Sequence, residues 1–165
     1  GVNIIYMKRG DMLSVQKGRL LKYDGRDMAK ISLSFLYPGP ETGINDVNEL
    51  SAVVRLDHQG YSMLFTGDLG EIGEKQLLEQ EIDVEADVLK VGHHGSRYSS
   101  SGEFLDAVAP KIAVISAGED NRYGHPHGET LDRLKDHGAD IFCTIECGAV
   151  SVTIDRGGLK TEKYR

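Results

Sequence analysis

The alternation of short apolar runs with amphipathic segments through the second half of the chain narrows the possible folds more than any other feature. "ADVLKV" leads through "GHHGSRYSS" into "SGEFLDAVA", and "KIAVIS" leads through "AGEDNRYGHPHG" into "ETLDRLKDHG". Strands alternating with helices in this way predict a sheet carrying helices on at least one face. In "KIAVIS" both sides of the pleat are apolar, Ile112 and Val114 on one and Ala113 and Ile115 on the other. Such a strand is covered on both faces. Phe104, Leu105 and Val108 mark one face of the first helix, Leu131 and Leu134 one face of the second, and Gly138 stands where a helix stops.

Upstream, "LSAVVRL", "DHQG" and "YSMLFTGD" predict a hairpin that ends at Asp68, with His58 in its turn. A helix over "GEIGEKQLLEQ" follows, with Ile72, Leu77 and Leu78 as its apolar positions. The first 37 residues, with "NIIYM", "DMLSV", "GRLLKY" and "KISLSFLY", predict a meander of short strands, and "PGPETGINDVN" a loop. "DIFCTI", "GAVSVTI" and "LKTEKY" predict strands at the end. No repeat or linker interrupts the chain, so residues 1–165 are expected to form a single α/β domain.

Composition adds exclusions. A formal net charge of -7 argues against holding nucleic acid through a generally basic surface, so a phosphate partner must be met locally. No apolar run approaches the roughly 20 residues of a membrane span, and no signal-peptide pattern is present. The chain by itself is expected to be soluble. Cys143 and Cys147 in "CTIEC" have the spacing of half a zinc site, but no second Cys/His pair stands at the matching distance. They read as small residues of a strand and turn.

The residues able to do chemistry stand just past the apolar strands, where layered α/β folds place their sites. Asp68 follows "MLFTG", His93 and His94 follow "VLKVG", and His125 and His127 lie in the loop after "AVIS". A carboxylate and imidazoles are suitable donors for a divalent ion such as zinc or manganese. Gly67 and Gly92 precede the candidate ligands, where a missing side chain lets the backbone turn sharply. Each residue also has a plainer explanation. Asp68 can cap the helix starting near Gly70, and the serines of "GSRYSSS" suit capping of the helix before Phe104. His137 at a helix end can favour the helix C-terminus, and neither it nor His58 is assigned to the site.

The segments "NDVNELSAVVRL", "SMLFTGD", "ADVLKVGHHGSRYSSSGEFLDAVAPKIAVISAG" and "NRYGHPH", in this order, resemble the metallo-β-lactamase-like domain of the ComEC family of competence proteins. Similar motifs occur in phosphorylcholine esterases. The resemblance runs from about Leu20 to Ile154 and implies an αββα sandwich, of which this chain is the C-terminal half, a mixed sheet with helices on one face. It implies two divalent ions, zinc or manganese, in the complete domain. Asp68 would bridge them and one of His93 and His94 would complete the second, the other facing the substrate. His93 and His125 are then the candidate catalytic groups, one imidazole protonating a leaving group. Asn121, Tyr123 and Arg97 are candidates for substrate contact, and Lys90, Arg97 and Arg122 for holding phosphates. Two ions about 3.5–4 Å apart can activate a water and steady a leaving oxygen.

The family's H-x-H-x-D-H ligand motif is absent from this sequence. The only histidine pair at that spacing, His125 and His127, lies late and lacks the Asp-His that should follow. The expectation is therefore half of an active site, with metal binding weak or absent in this chain alone and little catalysis. The partner half is expected to cover one face of the sheet, which otherwise pairs with a second copy of the chain. By resemblance the substrate is a phosphodiester of DNA during uptake, in a soluble extracytoplasmic part of a cell-membrane protein beside its channel. A non-catalytic module guiding DNA, or a phosphocholine-type phosphoesterase, is the alternative.

Overall fold

The structure is a computed structural model that describes residues 6–16, 19–22, 31–39, 43–44, 46–155 and 158–165. Its centre is an eight-stranded mixed sheet in the order β2-β1-β3-β4-β5-β6-β7-β8. The first five strands, β1 (Met12–Gln16), β2 (Arg19–Lys22), β3 (Ile31–Tyr37), β4 (Val53–His58) and β5 (Tyr61–Phe65), pair antiparallel. From β5 onward, β6 (Val88–Lys90), β7 (Ile112–Ile115) and β8 (Asp140–Cys143) pair parallel. The parallel strands are joined by α1 (Glu71–Glu79), α2 (Gly102–Val108) and α3 (Gly128–Asp136). Each successive parallel strand is added on the same side of the last, so right-handed crossovers put all three helices on one face.

Register shows which side chains form the core. Leu64, Leu89 and Ala113 are paired across β5, β6 and β7, and Ile115 is paired with Cys143. All five are buried against Leu77 of α1, Phe104, Leu105 and Val108 of α2, and Leu134 of α3. The other face carries Met63, Val88 and Ile112 in one row and Phe65, Lys90, Val114 and Phe142 in the next. Val88 and Val114 are buried, while Met63, Phe65, Ile112 and Phe142 are half-buried, with the Lys163 ammonium from near the chain's end lying 5.1 Å from the centre of the Phe142 ring. The mixed sheet with helices on one face is the expected architecture.

Several local expectations change. The opening strands are not a simple meander, because β1 lies between β2 and β3 and leaves β2 at the edge. Of "NIIYM", residues 3–5 lie outside the described residues, and Tyr6 and Met7 are not in a strand. His58 closes β4 opposite Tyr61, leaving Gln59 and Gly60 as the turn. Ile72 is 59% exposed and not part of the core; α1 buries Gly73, Glu74 and Leu77, spaced as one helical stripe. After β8 the chain forms a single turn of helix, α4 (Thr144–Cys147), in place of a strand. The Thr144 hydroxyl draws that turn inward by donating to the Ala117 carbonyl at 2.8 Å and accepting the Ala117 N–H at 3.0 Å. Both cysteines are free and buried. β9 (Ala149–Asp155) and β10 (Gly158–Tyr164) form a separate hairpin.

Candidate metal centre

Three parallel strands deliver the candidate residues from their C-terminal ends. Asp68 follows β5, His93 and His94 follow β6, and His125 follows β7. The His94 Nε2 stands 3.4 Å from the Asp68 carboxylate, and both side chains are about half exposed. The His125 ring lies 5.6 Å from that of His93, 6.4 Å from that of His94 and 4.9 Å from that of His127, centre to centre. Four imidazoles and one carboxylate therefore share one edge of the sheet.

The backbone around them is tightly set. Gly67 has φ +57°, and a Cβ there would meet the Ser51 Cβ at 3.0 Å; Gly92 lies so close to the Leu69 carbonyl that a Cβ would stand 2.9 Å from its oxygen. Glycine is required at the first for its dihedral and at the second for space. The His93 N–H donates to the Gly67 carbonyl at 3.0 Å, which ties the two turns together. The Asp68 N–H donates to the Ser51 hydroxyl at 3.0 Å. Asp68 does not cap α1. The Glu49 carboxylate does so from outside the helix, accepting the N–H groups of Gly70 at 3.2 Å and Gly73 at 2.7 Å.

Hydrogen bonding distinguishes the two adjacent histidines. The His94 Nδ1 lies 2.6 Å from the Ser116 carbonyl oxygen, an acceptor, so Nδ1 carries the proton. In the neutral ring the Nε2 lone pair then points toward the Asp68 carboxylate. Two lone-pair donors facing one another need a proton or a cation between them. Donors each about 2.1 Å from a tetrahedral ion stand about 3.4 Å apart, which matches the observed separation. His94 and Asp68 thus fit two positions of a metal site. The set stops there: among the described residues no group of three His, Cys, Asp or Glu side chains is placed to hold an ion. The residues present fit part of a centre.

His93 is turned toward His125, edge to face at 76°. Burial holds the His125 imidazole below its ordinary pKa, and the neighbouring His127, His93 and His94 push it further down against the pull of Asp68. The Tyr123 ring is stacked on His125 at 5.7 Å and is 61% exposed, with its hydroxyl accepting from Arg122 at 2.6 Å. Asn121 is occupied within its own loop. Its amide donates to the carbonyls of Gly118 and His125 and accepts the His125 N–H, so it shapes the segment that presents His125. Arg97 pairs with Glu129 at 3.0 Å, and its N–H donates to the His127 Nδ1 at 3.2 Å. Desolvation lowers the pKa of Lys90, opposed by Asp68, and its ammonium donates to the Val91 carbonyl at 3.0 Å. His58 and His137 lie elsewhere: His137 ends α3 and pairs with Asp106 at 3.2 Å.

Sequence reasoning missed Glu49 and Ser51, which fix the Asp68 turn from residues 17 to 24 positions away. It also missed the Ser116 carbonyl. Only "NELS", immediately before the β4 strand, marked the first two. The serine run was read correctly as a cap, since the Ser101 Oγ accepts the Phe104 N–H at 3.3 Å.

The fold and the strand-end cluster define a class. A family model described as the metallo-beta-lactamase superfamily matches residues 47–119, and the mixed sheet with its helices has the fold class of that superfamily. The sequence is similar to competence proteins. It is 37% identical to "ComE operon protein 3" of Bacillus subtilis (strain 168) over 150 residues, which is 91% of this chain and 18% of that protein. It is 39% identical to "Competence protein ComA" of Neisseria gonorrhoeae over 136 residues, 82% of this chain and 20% of that protein. To "Recombination protein 2" of Haemophilus influenzae it is 32% identical over 142 residues, 86% and 18%. The chain spans about a fifth of the length of these relatives.

Proposed function

We propose that the chain supplies one side of a two-metal hydrolytic centre that cuts phosphodiester bonds of DNA, as part of a longer competence-type protein. The observation that carries this is the placement of the His94 Nε2 against the Asp68 carboxylate at 3.4 Å, with His93 and His125 beside them. Asp68 and His94 act as ligands in this reading, and the 3.4 Å separation supports His94 over His93 for that role. Bound divalent ions supply Lewis-acid activation of water and stabilisation of the leaving oxygen. His93 and His125 face the substrate side, where a neutral imidazole can take or return a proton. The other ligands come from an H-x-H-x-D-H segment that these 165 residues do not contain.

The same proposal accounts for the sheet face without helices. A second half of the domain would cover the rows containing Met63 and Phe65, with a second copy of this chain as the alternative occupant. Among the described residues no helix is long and apolar enough to cross a membrane. The similarity to competence proteins supports a parent protein at the cell membrane, with this part in the aqueous phase outside the cytoplasm.

The test uses the complete domain, with the H-x-H-x-D-H segment included. With added manganese or zinc it should cleave DNA, with chelator removing the activity and Asp68→Ala abolishing it. DNA retention that ignores chelator, with no cleavage, would establish a guiding module instead. Cleavage of a phosphocholine ester but not DNA would move the substrate class.

A further inference from the structure

The turn that presents the two histidines is strained, and the groups that hold it lie behind it, Ser99, Thr130 and Glu74 buried and Arg133 half-buried. His93 (φ 45°), His94 (φ 56°) and Gly95 (φ 82°) occupy the left-handed region in succession, and Ser100 (φ 55°) does so a few residues on. For residues other than glycine this costs on the order of 1–3 kcal/mol each and persists only where the surroundings leave no alternative.

Those surroundings are explicit. The Ser99 hydroxyl, fully buried, shares its one proton between the carbonyls of Gly92 at 2.9 Å and Ser96 at 3.0 Å, so it spans the histidine turn from end to end. Thr130 of α3, also fully buried, donates its hydroxyl to the Ser96 carbonyl at 2.8 Å. The segment carrying Ser99 is gripped from both sides. From α3, the Arg133 guanidinium donates to the carbonyls of Arg97 at 3.0 Å, Ser99 at 2.8 Å and Ser100 at 2.8 Å. From α1, the Glu74 carboxylate, 1% exposed, accepts the N–H groups of Ser100 at 2.5 Å and Ser101 at 2.9 Å. The guanidinium takes carbonyls and the two carboxyl oxygens take N–H groups, each the partner its chemistry demands.

We infer that Glu74 and Arg133 are positioning residues that clamp residues 97–101 and, through Ser99 and Thr130, hold the His93–His94 turn in its strained form opposite Asp68. Both act through the backbone, on carbonyls and N–H groups of residues 97–101. The functional meaning of the clamp rests on the proposed metal centre, but its existence does not. Two helices that otherwise only cover the sheet thereby set the geometry of the site.

Amide hydrogen exchange on the 165-residue chain tests this without metal or substrate. In Arg133→Met and Glu74→Ala the amides of His93 and Ser96, which donate to Gly67 and His93, should exchange at least roughly tenfold faster, while the Leu89 and Ala113 amides of the central strands keep their rates. Ser99→Ala, which removes only a hydroxyl, should reproduce the local loosening. Glu74→Gln, which keeps one of the two acceptor oxygens, should loosen the turn less than Glu74→Ala. Unchanged rates at His93 and Ser96, or an equal rise at the strand amides, would overturn the inference. Loosening as expected, in a complete domain that nevertheless binds no metal, would sink the proposed function and leave the clamp standing.

Discussion

Glu74 offers a quantitative test of how the interior balances a buried charge. The side chain is 1% exposed, and burial pushes its pKa from 4.5 up to about 7, although the N–H groups of Ser101 and Ser100 pull it down and Glu71 pushes it further up. Between pH 4.5 and about 7 the folded chain retains a proton that the unfolded chain has released. Stability from this group is therefore greatest below about pH 4.5, falls as pH rises, and levels off above about pH 7. At about 1.4 kcal/mol per pH unit the full span is about 3 kcal/mol. Glu74→Gln, isosteric and uncharged, removes that slope. Urea denaturation of both forms at pH 5, 6, 7 and 8 measures it, because titration elsewhere cancels in the difference. The amide loses one of the two acceptor bonds at every pH, so the prediction is the change: the stability of the variant relative to the wild type should rise by about 2–3 kcal/mol from pH 5 to pH 8. A difference that does not change with pH would refute the reasoning, since the carboxylate would then be ionised throughout, carried by its two N–H bonds.

Two further substitutions probe the parts of the fold that carry the site. Leu89→Ala, at a fully buried position of the central strand β6, should cost about 2–5 kcal/mol in the same denaturation assay; a loss under about 1 kcal/mol would mean that the helices settle into the cavity. Thr144→Val leaves both backbone groups of Ala117 without the hydroxyl they share. It should cost about 1–3 kcal/mol and lower the melting temperature, whereas Thr144→Ser should retain most of the stability.

What could be read directly from the sequence was whatever local patterning controls. Phe104, Leu105 and Val108 of α2 repeat at helical spacing and are all buried, and "KIAVIS" became a strand whose two faces are both largely covered. The pattern misled at α1, because its inward stripe holds a glycine and a carboxylate. Gly73 is there for room, since a Cβ would stand 3.1 Å from the Glu49 carbonyl oxygen, and Glu74 is there for the clamp. Hydrophobicity therefore pointed to Ile72, which faces water. Thr144 misled for a related reason: its partner, Ala117, is 27 residues away. Of the site, the chemistry-bearing residues stood out because strand ends expose them. The residues that orient them did not, because Ser51, Glu49, Glu74 and Arg133 act on segments 17 to 36 positions distant, and nothing in a local window marks such a bond.

This division has an energetic reason. The side chains of Asp68 and His94 are 46% and 50% exposed, so water solvates much of each charge or lone pair when no ion lies between them. Holding them in place therefore costs the fold little beyond ordering two side chains. The cost lies in the backbone, in the left-handed dihedrals of His93 and His94, and it is offset by the buried Ser99, Thr130 and Glu74 together with the half-buried Arg133. A metal centre of the proposed kind needs this separation. Donors buried deeply enough to be rigid by packing alone would shift their protonation or collapse onto one another without a cation. Donors left at the surface stay available but lose their aim. By fixing the main chain from beneath and leaving the carboxylate and the imidazole half in water, the structure keeps both properties at one strand end.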